Sequence, residues 1–198
     1  MRRDSTHCGI VSQVLGPDLV HLATSVSPCF LHEGRGGYDA RMHYIDELRR
    51  AVNDAVPKLL ALGDASATRR APGNWSAREI IGHLVDSASN NHQRFVRGQL
   101  QDDLVFPGYA GDEWVRIGRY QQAPWEELVT LWRTLNLQIA RVMEGTPEDR
   151  RRRPRVHHNF AEIGVTLPPG EAATLEHVMS DYVIHLQHHL RQIFADSQ

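Results

Sequence analysis

Four stretches of this chain carry apolar residues every three or four positions, and no stretch gives a convincing strand pattern. That period is helical. It limits the chain to an all-α fold in which each helix buries its apolar stripe against the others. The first stretch, from about Ala40 to Leu62, brings Ile45, Leu48, Val52, Val56, Leu59 and Leu60 into helical register. Pro57 predicts a kink inside it and Gly63 an end. The second begins at a capping box, Ser76-Ala77-Arg78-Glu79, where Ser and Glu satisfy each other's free N–H. It is expected to run to about Gln99, with Ala77, Ile80, Ile81, Leu84, Ala88 and Phe95 facing the core. The third starts at Pro124 as first helical residue, with Glu126 and Glu127 at the positive end of the dipole. It runs to about Met143 with Leu128, Leu131, Trp132, Leu135, Ile139 and Val142 inward, and Gly145-Thr146-Pro147 stops it. The fourth spans about Thr174, its N-cap, to Phe194, with Leu175, Val178, Tyr182, Leu186 and Ile193 as its stripe. Four helices without an internal repeat predict a four-helix bundle of antiparallel type. The connections after the second and third helices are long, so a simple up-down-up-down order is not expected.

Those connections have their own content. Residues 101–123 include Phe106-Pro107-Gly108-Tyr109, which forbids one continuous helix, and a short helix is expected near Trp114. Its aromatic residues are read as loop anchors. Between the third and fourth helices, Arg150 to Arg153 and Arg155 put five arginines in six residues. This run is read as a solvated loop partly neutralised by Glu148 and Asp149, with anion or nucleic-acid binding as the weaker reading. Residues 1–41 mix Gly, Pro, Ser and His with short apolar pieces and hold no sustained period. They are expected to be a poorly ordered extension ahead of a domain at 42–198, and Met42 is an alternative start.

A chain of 198 residues with a formal net charge of −2 is not an obvious partner for nucleic acid or a membrane surface. No apolar run approaches a membrane-crossing length, and the N-terminal residues lack the continuous apolar core of a secretory signal. Cys8 and Cys29 are the only cysteines, so Cys-based zinc motifs are excluded from the helical region and a cytoplasmic setting fits. Histidine, by contrast, occurs twelve times.

Three of the twelve, His185, His188 and His189, fall within five residues of the last helix. Residues four apart on a helix share a face, so His185 and His189 can hold one metal ion between them. On a helical wheel His189 lies inside the apolar stripe, His185 at its edge and His188 well outside. The competing reading is a surface helix that is merely rich in histidine. His83, on the second helix, lies on the polar side with Glu79, Ser87, Asn90 and Arg94, and periodicity alone makes it an exposed residue.

The pieces Trp75 to Asp86, Tyr109 with Asp112 to Val115, Pro124 to Leu128, and Tyr182 to Ile193 resemble, in this order, the DinB/YfiT-like metalloenzymes. The likeness spans roughly residues 42 to 196. It implies a four-helix bundle with a divalent metal at one end, held by His83, His185 and His189, so that the polar side of the second helix lines a metal cleft. It further implies zinc or nickel, a low-molecular-weight thiol as cosubstrate in some relatives, and frequent homodimers.

Three neutral imidazoles leave coordination positions open, the arrangement of catalytic rather than structural sites. A water or thiol bound there loses its proton near neutral pH. Asp86, Asp181 and Gln192 are candidate acceptors for the ligands' second ring N–H. Asn90 and Arg94 are candidate contacts to a small-molecule substrate. No strong general base stands out, since Glu79 is committed to the cap, which leans toward thiol S-transfer. The alternatives are metal-dependent hydrolysis and a non-catalytic, stress-related bundle that binds metal or a small ligand.

Overall fold

The computed structural model describes residues 43–69 and 73–195. The expected division at residue 41 and the alternative start at Met42 lie outside the described residues. Four long helices, α1 (His43–Ala67), α2 (Ala77–Leu100), α4 (Trp125–Glu144) and α6 (Leu175–Ala195), form the bundle. Two short ones, α3 (Gly111–Gly118) and α5 (Glu148–Arg151), lie in the long connections.

The helix starts follow the local chemistry. Ser76 accepts from the Glu79 N–H at 3.2 Å while the Glu79 carboxylate accepts from the Ser76 N–H at 2.9 Å, completing the capping box. Thr174 Oγ1 accepts from the His177 N–H at 3.2 Å and caps α6. Pro124 is one position earlier than expected: it is the N-cap of α4, not its first residue. Gly63 ends the first helical run of α1, as expected. It takes φ 67°, ψ 169°, so the helix breaks there and resumes to Ala67; the break falls at this glycine, while Pro57 lies inside the helix.

The core is one cluster drawn from all four long helices, centred on Leu48, Leu59, Ile81, Phe95, Trp132, Ile139 and Tyr182. Leu131, expected inward on α4, is 46% exposed; Val129 takes the buried place, so the stripe is rotated from the wheel's estimate. Around the bundle α1 packs on α4 and α6, and α2 packs on the same two helices. The first two long helices therefore face each other across the bundle rather than side by side. This is the departure from up-down-up-down order that the long connections foretold, and it sets α6 directly against α2.

The arginine run corrects an expectation. Arg151 and Arg155 are buried at 3% and 4% exposure, not solvated. Arg151 pairs with Glu176 of α6, and the Arg155 guanidinium donates to the carbonyls of Arg153 and Gly98. Arg153 pairs with Asp102, and Arg152 with Glu148 and Glu176. The two long connections are clipped together as well: Leu104 N–H donates to the His157 carbonyl at 2.9 Å, and the Asn159 amide bonds both backbone groups of Phe106. The run thus holds connections to the bundle, because a buried guanidinium can satisfy several carbonyls that the loops leave free.

Candidate metal centre

The packing of α6 on α2 brings together residues 102 positions apart in the chain. His83 Nε2 lies 3.3 Å from His185 Nε2. The ring centroids of His83 and His189 are 4.8 Å apart, those of His185 and His189 4.6 Å, and one nitrogen from each ring falls within 4.8 Å of the other two. His83 is 8% exposed, which overturns its surface reading from periodicity. The wheel registered the apolar stripe of α2 alone, whereas α2 is enclosed on its polar side too, with Asp86, Ser87, Asn91 and Arg94 also buried. His185 and His189 are half-buried and His188 is exposed, as the α6 stripe indicated.

Neighbours shape this cluster. The indole of Trp75 lies 5.1 Å from the His83 ring and stacks over His189 at 6.5 Å. The Tyr109 ring, 6.4 Å from His83, rests against Trp114. Gly111, at the start of α3, is so close that a Cβ there would touch the His83 ring at 3.5 Å. His189 Nδ1 donates to the Gln192 Oε1 at 2.8 Å, and the Gln192 amide donates to His188 Nε2 at 3.1 Å. The first bond fixes the tautomer of His189 and leaves its Nε2 lone pair free. His188 is therefore one hydrogen bond further out, behind Gln192.

Burial holds all three rings neutral. It pushes the His83 pKa down to about 4, with the repulsion a protonated His189 would exert adding to it, and that of His185 down to about 3, with His189, His83, His188 and Arg94 opposing its protonation. His189 is lowered by burial too, with its bond to Gln192 opposing. Neutral imidazoles present lone pairs, and two facing nitrogens repel unless a proton or a cation lies between them. Two nitrogens bound at about 2.0–2.1 Å to one tetrahedral ion sit roughly 3.3–3.4 Å apart. The His83–His185 separation matches that spacing, and the donor set, with its nitrogens within 4.8 Å of one another, suits a divalent ion.

The other residues singled out in the sequence divide by position. Asp86 accepts from the Tyr120 hydroxyl at 2.6 Å through Oδ1, and its buried Oδ2 has no partner. Burial raises its pKa against the lowering effect of Tyr120. Asp181 accepts from the Thr166 N–H at 3.5 Å and lines a different cavity, with Thr166, His177 and Ile184. Asn90 and Arg94 line a separate small cavity with Gln93, Arg97, Phe106 and Pro107. The cleft beside the three histidines, about 520 Å³, is lined by Asn74, Trp75, Ile80, Asp112, His189 and Gln192, among others. Asp112 and Tyr120 had no role in the residue-by-residue reading. A signal for Tyr120 did exist: Gly82, mid-helix beside His83, marks a close approach, and a Cβ there would lie 2.1 Å from the Tyr120 ring. Nothing local marked Asp112, whose place depends on how α3 folds over the bundle end.

A helical bundle whose second and last helices converge three neutral histidines beside an open cleft has the donor set of a candidate metal site. The model of the DinB superfamily matches residues 42–193, and the chain belongs to that superfamily. Among solved structures it is similar to YfiT from Bacillus subtilis, with a TM-score of 0.66 and 19% identity over 78% of this chain and 84% of that one. That protein is described as a probable metal-dependent hydrolase with an unusual four-helix bundle topology. The likeness shows that the fold is shared. No curated protein sequence matches the chain. Among the described residues no helix is long and apolar enough to cross a membrane.

Proposed function

We propose that this chain is a metal-dependent enzyme acting on a small molecule, with His83, His185 and His189 as the ligands of a zinc or nickel ion. The observation that carries the reading is the 3.3 Å approach of His83 Nε2 to His185 Nε2, closed by His189 at the wall of an open cleft. When bound, the ion supplies Lewis acidity and makes a water or thiol acidic near neutral pH. The chain's own residues do the rest. Gln192 holds His189 through its Nδ1–H, Trp75 shields the His83 and His189 rings, and the Asp112 carboxylate on the cleft wall takes a proton from the reacting group. Three protein ligands leave coordination positions open, which favours an enzyme over a non-catalytic metal-binding bundle.

Asp112 changes the balance between the two chemistries. The lean toward thiol S-transfer rested on the lack of a base, and a carboxylate on the cleft wall removes that ground. Hydrolysis is the leading reading, in keeping with the description of YfiT, and S-transfer from a low-molecular-weight thiol is the second. The test is metal content by mass spectrometry on wild type, His83→Ala, His185→Ala and His189→Ala, with His188→Ala as control. Near-stoichiometric metal in wild type and control, lost in the other three, is expected. Equal, low metal in all five sinks the reading. Loaded wild type is then screened on ester and amide substrates with and without added thiols: turnover that needs the thiol assigns transfer, and turnover without it assigns hydrolysis.

A further inference from the structure

The polar face of α2 continues past the histidine cluster. Asn90, Gln93, Arg94 and Arg97 follow at i, i+3, i+4 and i+7, one face of the helix, roughly 10 to 21 Å along its axis from His83. With Phe106 and Pro107 they line a cavity of about 40 Å³. It shares no lining residue named for the cleft beside the histidines.

The charge in this cavity is unbalanced. Arg94 is 94% buried, from 6% exposure. It donates through Nη1 to Asn91 Oδ1 at 3.4 Å and through Nη2 to the Pro107 carbonyl at 3.3 Å, both at the long end for such bonds. A guanidinium has five N–H donors, so most of its capacity is unspent. Arg97 donates from Nη2 to Gln93 Oε1 at 3.2 Å. Neither arginine has an ion pair within 4.0 Å with a described carboxylate; Asp181 and Tyr109 act on Arg94 only from further away. Burying a guanidinium without a close counter-charge is costly. The Gln93 amide N–H groups are also uncommitted, because its oxygen is the atom that Arg97 uses.

We propose that Asn90, Gln93, Arg94 and Arg97, roofed by Phe106-Pro107, form a binding pocket for a carboxylate group, distinct from the metal centre. Two guanidiniums and two amides offer the donors that a carboxylate accepts. The small volume, about 40 Å³, suits a compact anionic head group, and the flat guanidinium and amide donors match a planar carboxylate. Pro107 lacks an N–H, so the roof supplies a carbonyl already bonded to Arg94 and an apolar ring. The ligand is a carboxylate-bearing small molecule or the free C-terminus of a peptide.

The test is a titration of the full chain with sodium acetate, against sodium chloride at equal ionic strength, followed in ¹H–¹⁵N spectra. Expected is a saturable shift of the Arg94 side-chain Nε–Hε and of the amides of residues 90–97 and Gly108, with acetate only. Arg97→Gln and Gln93→Leu, both at exposed positions where folding is safe, are each expected to weaken acetate about tenfold. N-acetylglycine binding more tightly than acetate assigns a peptide C-terminus, and weaker binding assigns a small molecule. Equal shifts with chloride, no saturation, unchanged affinity in both variants, or tighter binding of inorganic phosphate overturns the pocket. None of these readouts depends on the metal, so this inference and the metal reading fail separately.

Discussion

At the scale of single residues, side chains of this bundle are fixed by where their polar atoms find partners. Tyr182, inside the core, donates to Asn136 Oδ1 at 2.6 Å, and the Asn136 amide donates to the Trp132 carbonyl at 2.8 Å. Tyr182→Phe keeps the ring and orphans a buried acceptor. It is expected to cost about 1–3 kcal/mol, read as a lowered denaturant midpoint at unchanged slope; no loss means that water reaches Asn136. The histidines give a second prediction, for metal-free protein. With folded pKa values of about 4 for His83 and about 3 for His185, both are neutral at pH 7.5, folded or unfolded. As pH falls below the ordinary value of about 6.5, the unfolded chain binds protons that the folded site refuses. Stability therefore declines from pH 6.5 toward the folded values and levels off below them. Chelator-treated wild type is expected to lose denaturant resistance between pH 7.5 and 5, and the double variant His83→Ala, His185→Ala to lose less. Equal slopes would mean that these rings are solvated.

At the scale of elements, local signals were legible and side assignment was not. The capping box of α2 and the Thr174 cap of α6 were readable because both are made within four residues. The inward place of His189 and the outward place of His188 followed from the α6 stripe. His83 did not follow, because a wheel finds the apolar face of one helix and cannot see that α3 covers the polar face. Arg151 and Arg155 failed for the same reason, their partners lying in α6 and at the end of α2. Only the family resemblance placed His83 with the others. The contact of Gly82 with Tyr120 tests how α2 is covered. Gly82→Ala pushes a methyl to 2.1 Å from the Tyr120 ring and is expected to dislodge it, freeing Asp86, at a cost of about 1–3 kcal/mol in thermal melts. In a Tyr120→Gly background the same change is expected to be neutral, or stabilising by up to about 1 kcal/mol, because alanine is the better helix former. An equal cost in both backgrounds would place the strain elsewhere.

At the scale of the whole molecule, the fold class came from four helical periods, while the order of packing came from nothing local. Placing α1 across from α2 leaves α6 to close the bundle against α2, and that closure brings the three histidines together. The site therefore spans two helices that are far apart in the chain, and an ion bound there would join them. Unfolding separates His83 from His185 and His189, so the unfolded chain lacks the three-ligand site. Under the proposed function, a divalent ion in hundredfold excess over its dissociation constant is expected to add about 2.7 kcal/mol to stability. The expected observation is a melting temperature that rises with free zinc or nickel in wild type and His188→Ala and stays flat in His83→Ala. Because Gln192 orients His189, Gln192→Leu should shift the same curve to about 10–100-fold higher metal concentration without lowering the metal-free melting temperature. A wild-type melting temperature indifferent to either ion would mean that the histidines close the bundle by packing alone, and the enzyme reading would fall with it.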